Sequence, residues 1–126
     1  MAIVKSHPRI SVEIYSNSAP LQEYVNDEEE DAPNAVTKYI EAASGAEFEV
    51  RCTLTRDFPE TTLMCQVYLD GKRAAGMFCE QSFYVGESAR LKLRGVSHSD
   101  GSGSFVSNFC FSSLAIGTCE LLSVYM

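Results

Sequence analysis

Residues 47–55 read EFEVRCTLT, and their alternation carries the clearest structural information in the chain. Phe48, Val50, Cys52 and Leu54 fall on one side, and Glu47, Glu49, Arg51 and Thr53 on the other. A period of two sends successive side chains to opposite faces of a strand, so this segment buries one face and wets the other, as in half-buried antiparallel sheet. The same period recurs on both sides. In RISVEIY, Ile10, Val12 and Ile14 alternate with Ser11, Glu13 and Tyr15; in ARLKLRGV, Leu91 and Leu93 alternate with Arg90, Lys92 and Arg94.

Between these lies TLMCQVYLDGKRAAGMF, which puts Leu63, Cys65, Val67 and Leu69 on one face and then reaches Asp70-Gly71. Asp-Gly between two β-like runs predicts a hairpin, because a type I′ turn needs positive φ at both central residues. Later, SFVSNFCFSSL sets Phe105, Ser107, Phe109 and Phe111 on a common face, and the preceding SHSDGSGS reads as a loop by composition. AVTKYIEAASG is ambiguous. As a strand it divides Val36, Lys38 and Ile40 from Thr37, Tyr39 and Glu41; as a helix it would run from Asn34 to Gly45. The β-rich surroundings favour the strand. The expected fold is all-β: a single-domain β-sandwich over residues 1–126, jelly-roll-like or Greek-key, with about seven to eight mostly antiparallel strands.

Charge and composition narrow the function. The chain carries 17 acidic and 10 basic residues, for a net charge of −7, and Asp27, Glu28, Glu29, Glu30 and Asp31 form one uninterrupted run. Without that run the balance is 12 against 10. An acidic chain with no basic cluster is poorly suited to phosphate backbones or anionic membranes, so neither nucleic acid nor membrane is expected as a partner. No apolar run approaches the ~20 residues of a membrane-spanning helix. The N-terminus MAIVKSHPRISVEIYSNS lacks a signal-peptide core, which favours a cytoplasmic or nuclear protein that is not secreted. Cys52, Cys65, Cys79, Cys110 and Cys119 are odd in number and 13, 14, 31 and 9 residues apart, so they read as reduced small hydrophobes.

Catalytic and metal chemistry find little support. The two histidines, His7 and His98, accompany no G-x-S-x-G elbow, and the cysteine spacings do not suit zinc. Asp100 lies among hydroxyls in SHSDGSGS, but the calcium-loop frame is missing. A non-enzymatic protein without cofactor or metal is therefore expected, with a hydrolase-like use of His98 or Asp100 as a weaker idea. Asp27 to Asp31 is either a solvated connector or a surface for Lys/Arg groups of a partner. Tyr15, Tyr39 and Tyr68 fall opposite the most apolar stripes, where tyrosine serves cross-strand pairing or recognition.

The segments PLQEY, VTKYIEAASGAEFEVR, VYLDGKRAAG and FVSNFCFSSL, with the acidic connector, resemble the single domain of a large group of fungal proteins, a domain of unknown function. The resemblance covers about residues 9 to 116 and is most specific at Val36 to Phe48 and Val67 to Lys72. It implies a fungal source and an intracellular β-rich domain, supports the strand reading of Val36 to Glu41, and carries over no catalytic residues. The leading expectation is a protein-interaction module, with Asp27 to Asp31, Tyr39 and Tyr68 as candidate contacts; a carbohydrate-binding module is the alternative. Self-association is also expected, because CELLSVYM is apolar enough to pair with a neighbour's strand edge.

Overall fold

The computed structural model describes residues 1–25, 30, 32–55, 63–80, 88–112 and 119–125, the last of these as backbone. Every element among them is a strand: β1 Ala2–Ile3, β2 Ile10–Ser16, β3 Ala19–Pro20, β4 Glu23–Tyr24, β5 Ala35–Glu41, β6 Glu49–Thr55, β7 Leu63–Leu69, β8 Lys72–Cys79, β9 Ser88–Leu93, β10 Gly95–Asp100, β11 Gly103–Asn108 and β12 Cys119–Tyr125. The twelve exceed the expected seven or eight. Three of the additional strands, β1, β3 and β4, have two residues each, too few for a period to show.

The alternating segments build the main layer. β1, β2, β6 and β9 pair in that order, with β3 also on β2, and every pairing is antiparallel. The registers Ile14↔Val50↔Leu93 and Val12↔Cys52↔Leu91 align the apolar positions of three strands in rows, so one face of the sheet is continuous core. Val67 and Cys79 of the β7–β8 hairpin, Ile40 of β5, and Phe109 and Phe111 close over that face. The result is an all-β sandwich. A smaller cluster of Ala2, Val4 and Val36 seals its end.

The β5 segment is a strand, not a helix. Val36 and Ile40 are buried on one face, as the alternation requires, and the chain turns at Gly45 with φ +79°. β5 lies between β4 and β12. The Asp70-Gly71 hairpin is also present: φ is 51° and 78° at the two turn residues, both in the left-handed region that glycine adopts without penalty.

Two expectations are corrected. SHSDGSGS is not a loop: Ser97, His98, Ser99 and Asp100 belong to β10, which pairs with β11 over six rungs from Gly95↔Asn108 to Asp100↔Gly103. The phenylalanine stripe is also broken. Phe105 is 55% exposed on β11 whereas Phe109 is 4% exposed. The physical reason is common to both. Beyond Val96, which packs against the core, the β10–β11 ribbon is exposed, with β11 exposed along its whole length, and the chain turns inward at its root, where the Phe109 N–H donates to the Arg94 carbonyl at 2.7 Å.

Candidate functional site

The wetted face of the main sheet ends in a polar cleft. Tyr15 on β2 opposes Glu49 on β6, and one step beyond the last β6–β9 rung, Val50↔Leu93, Glu49 stands opposite Arg94. Around this row a cleft of about 290 Å³ is lined by Tyr15, Ser16, Asn17, Ser18, Glu47, Phe48, Glu49, Arg94 and Asn108. Its walls are tied together by hydrogen bonds far apart in sequence. Ser16 Oγ donates to the Glu47 carbonyl at 2.8 Å, and Asn108 Nδ2 donates to Glu47 Oε2 at 3.1 Å. Below, the Phe48 ring stacks on those of Phe111 and Phe109, with centroids 4.4 and 5.4 Å away.

The charges in the cleft do not cancel pairwise. Arg51 Nε donates to Glu49 Oε1 at 2.5 Å, and its guanidinium lies 3.7 Å from the centre of the Tyr15 ring. Glu49 is thereby drawn along its own strand, and Arg94 across from it makes no ion pair with a described residue. The rim is strained. Asn17 and Ser18, which join β2 to β3, have φ of 54° and 63°, a conformation that costs L-residues roughly 1–2 kcal/mol each. Asparagine tolerates it; serine stands where glycine would be relaxed.

A second surface lies on the β7–β8 hairpin. Leu63, Cys65, Val67 and Leu69 turn toward the core, so Met64, Gln66 and Tyr68 turn outward, with Met64 directly opposite Phe78. Met64, Tyr68 and Phe78 are 47%, 58% and 56% exposed. Tyr68 is tethered only loosely, its hydroxyl donating to Gln66 Oε1 at 3.4 Å.

Both surfaces fall within the 9–123 stretch matched by the sequence model of one family, a domain of unknown function, DUF7918. The chain belongs to the DUF7918 family. The match begins at residue 9, as the resemblance implied, and extends past residue 116 into β12. Among curated proteins and among solved structures, none matches this chain.

The DUF7918 fold does not gather the expected contact residues into one site. Asp27, Glu28, Glu29 and Asp31 lie outside the described residues, and Glu30 is exposed. Tyr39 is half-buried on β5 and Tyr68 exposed on β7, in different sheets. β12, the segment expected to meet a neighbour, pairs with β5 over seven rungs, and no described strand covers its other edge. His98 is stacked on Phe105 at 4.9 Å on the β10–β11 ribbon. Glu47, Glu49, Arg94, Asn108 and the Asn17–Ser18 turn were not singled out from sequence. The turn had a usable signal, a two-residue polar link after an alternating strand.

Cys52, Cys65 and Cys79 share the DUF7918 core. The Cys52 thiol donates to Cys65 sulfur, which pushes the Cys52 pKa up, reinforced by burial, and draws that of Cys65 down. Burial raises that of Cys79. Cys110 is exposed. Among the described residues no His, Cys, Asp or Glu cluster is arranged to hold a metal. With iodoacetamide at mildly alkaline pH, peptide mapping should find Cys110 alkylated in the folded protein and Cys52 and Cys79 only after unfolding. Equal labelling of all three would contradict this packing.

Proposed function

We propose that this domain is a non-enzymatic, intracellular protein-interaction module, and that partners dock on the outer face of β7–β8. The observation that carries the reading is the joint exposure of Met64, Tyr68 and Phe78 on one side of a single hairpin. Exposed apolar side chains scattered singly are ordinary, but here a cross-strand Met–Phe pair shares its face with a tyrosine further along the same strand, Gln66 and Arg73 lying between them, and methionine and aromatics are the side chains enriched at interfaces. Among the described residues, Cys52, Cys65, Cys79 and Cys110 are free thiols, in agreement with a reducing compartment.

The test is a proximity-labelling comparison in the native cell between the wild type and the triple variant Met64→Ser, Tyr68→Ser, Phe78→Ser. All three side chains are exposed, so folding should be preserved while the specific partners are lost. An unchanged partner set would refute this docking face. Loss of the same partners on replacing Asp27 to Asp31 with Ser or Asn would assign the contact to the acidic run instead. Self-association through the edge of β12 that no described strand covers is part of the proposal, and a strictly monomeric species by light scattering at high micromolar concentration would remove it. A second reading, a carbohydrate-binding module, draws on a separate observation, the polar cleft.

A further inference from the structure

We infer that the cleft at the Tyr15–Glu49–Arg94 row is a binding site for a neutral polyhydroxylic ligand of monosaccharide size. This rests on the second reading, not on the docking face, and gives it a place and a chemistry. At about 290 Å³ the cleft is at the small end of ligand sites, enough for one sugar ring and too small for an extended cofactor.

The lining selects the chemistry. Glu47 and Glu49 present carboxylates, which accept only; Arg94 presents a guanidinium, which donates only; Asn108 and Ser18 present groups of mixed character. A hydroxyl does both. Adjacent hydroxyls on one ring can donate to a carboxylate and accept from the guanidinium facing it, whereas a purely anionic or purely cationic ligand satisfies one wall and is repelled by the other. With Arg51 paired to Glu49, Glu47 and Arg94 balance each other and the site carries no net charge, which favours a neutral ligand. Arg94 is available for this role because Arg51 holds Glu49 back along its own strand.

The rim adds a polar group. Ser18 holds φ 63° and lines the cleft with a hydroxyl, where glycine would relax the turn but leave no polar group. The two-residue β2–β3 hairpin sets the positive φ; what serine adds over glycine there is a hydroxyl on the cleft wall.

The experiment is a titration of the isotopically labelled full chain followed by amide NMR shifts. The probes are D-glucose, D-galactose, D-mannose and N-acetyl-D-glucosamine, each as free sugar and methyl glycoside, with glycine as the zwitterionic comparison. At least one sugar should give saturable millimolar shifts confined to residues 15–18, 47–49, 94 and 108. Binding of both forms would mark the end of a glycan as the ligand, and binding of the free form alone would mark the sugar itself. Arg94→Ala should weaken binding about tenfold, the loss of one charge-assisted hydrogen bond. Ser18→Gly should weaken it while raising the thermal midpoint, a combination that a purely structural turn does not produce. The Met64, Tyr68 and Phe78 triple variant should bind sugar normally, so failure of the docking face and failure of the cleft are distinguishable. No saturable shift with any sugar, equal binding by Arg94→Ala, or binding of glycine in place of sugars would overturn the assignment.

Discussion

Gly95→Ala is expected to destabilise the protein by about 3 kcal/mol, since a rigid overlap in a packed site costs 1–3 kcal/mol and this one falls on backbone. A Cβ at position 95 would overlap the Ser107 carbonyl oxygen and sit 2.7 Å from both the Ser107 carbonyl carbon and Val106 Cγ1. None of these is the movable end of a long side chain. Gly95 opposes Asn108 on the first rung of the β10–β11 ribbon, so relief requires the strands to part at the root. Gly76 provides the comparison: its Cβ would meet the Arg73 guanidinium, which can swing away, and Gly76→Ala should be close to neutral. For a chain of this size 3 kcal/mol lowers the thermal midpoint by roughly 10 °C, with amide exchange in β10 and β11 accelerated first. A change below about 0.5 kcal/mol, the level of ordinary surface substitutions, would mean that the ribbon strands do not approach this closely. Asn108 is on this rung and Arg94 precedes it, so the variant should also lose whatever the cleft binds.

Phe109→Ala is expected to cost about 3–5 kcal/mol, the range for removing a buried phenylalanine ring. Phe109 is 4% exposed and stacks on Phe48, which is stacked in turn on Phe111. Its loss would leave Phe48 without one neighbour and open a void beneath the cleft. Phe105→Ala is the matched control. Phe105 lies four residues earlier at the same parity, but it is 55% exposed and touches His98, so its removal should change stability by less than about 1 kcal/mol. Urea denaturation of the two variants reads the difference directly. Equal costs would restore the continuous aromatic face that alternation alone predicts.

The contrast between these phenylalanines marks where the sequence stops being readable. Alternation in β2, β6, β7 and β9 is imposed by a core on one side and water on the other, so those strands and their faces are legible, and so is the outward aim of Tyr68. Parity tells which side of a ribbon a residue occupies; it does not tell whether another layer covers that side. β11 is exposed along its length and β10 is exposed beyond Val96, so nothing forces an apolar stripe on them, and their serines and glycines pass for a loop. The cleft is less legible still. Its residues come from positions 15–18, 47–49, 94 and 108, and what joins them is the register of β2, β6 and β9, which depends on pairings that no single strand encodes. Each of them alone is an ordinary polar residue at the end of a strand.

The pairing of β5 with β12 bears on how the protein is made. Cys119 meets Glu41 and Tyr125 meets Ala35, so β5 joins a strand synthesised some 78 to 90 residues after it. Non-local pairings of this kind are the slowest to form, because the loop must close before any contact compensates for its entropy. A ribosome adding about 5–20 residues per second leaves one edge of β5 open for several seconds, with two described rungs to β4 on its other side. During that interval Val36 and Ile40 belong to an unfinished sheet. The nascent chain therefore passes through a state in which a half-built edge is open to other chains, and its yield in the cell should depend on what shields β5 until β12 arrives.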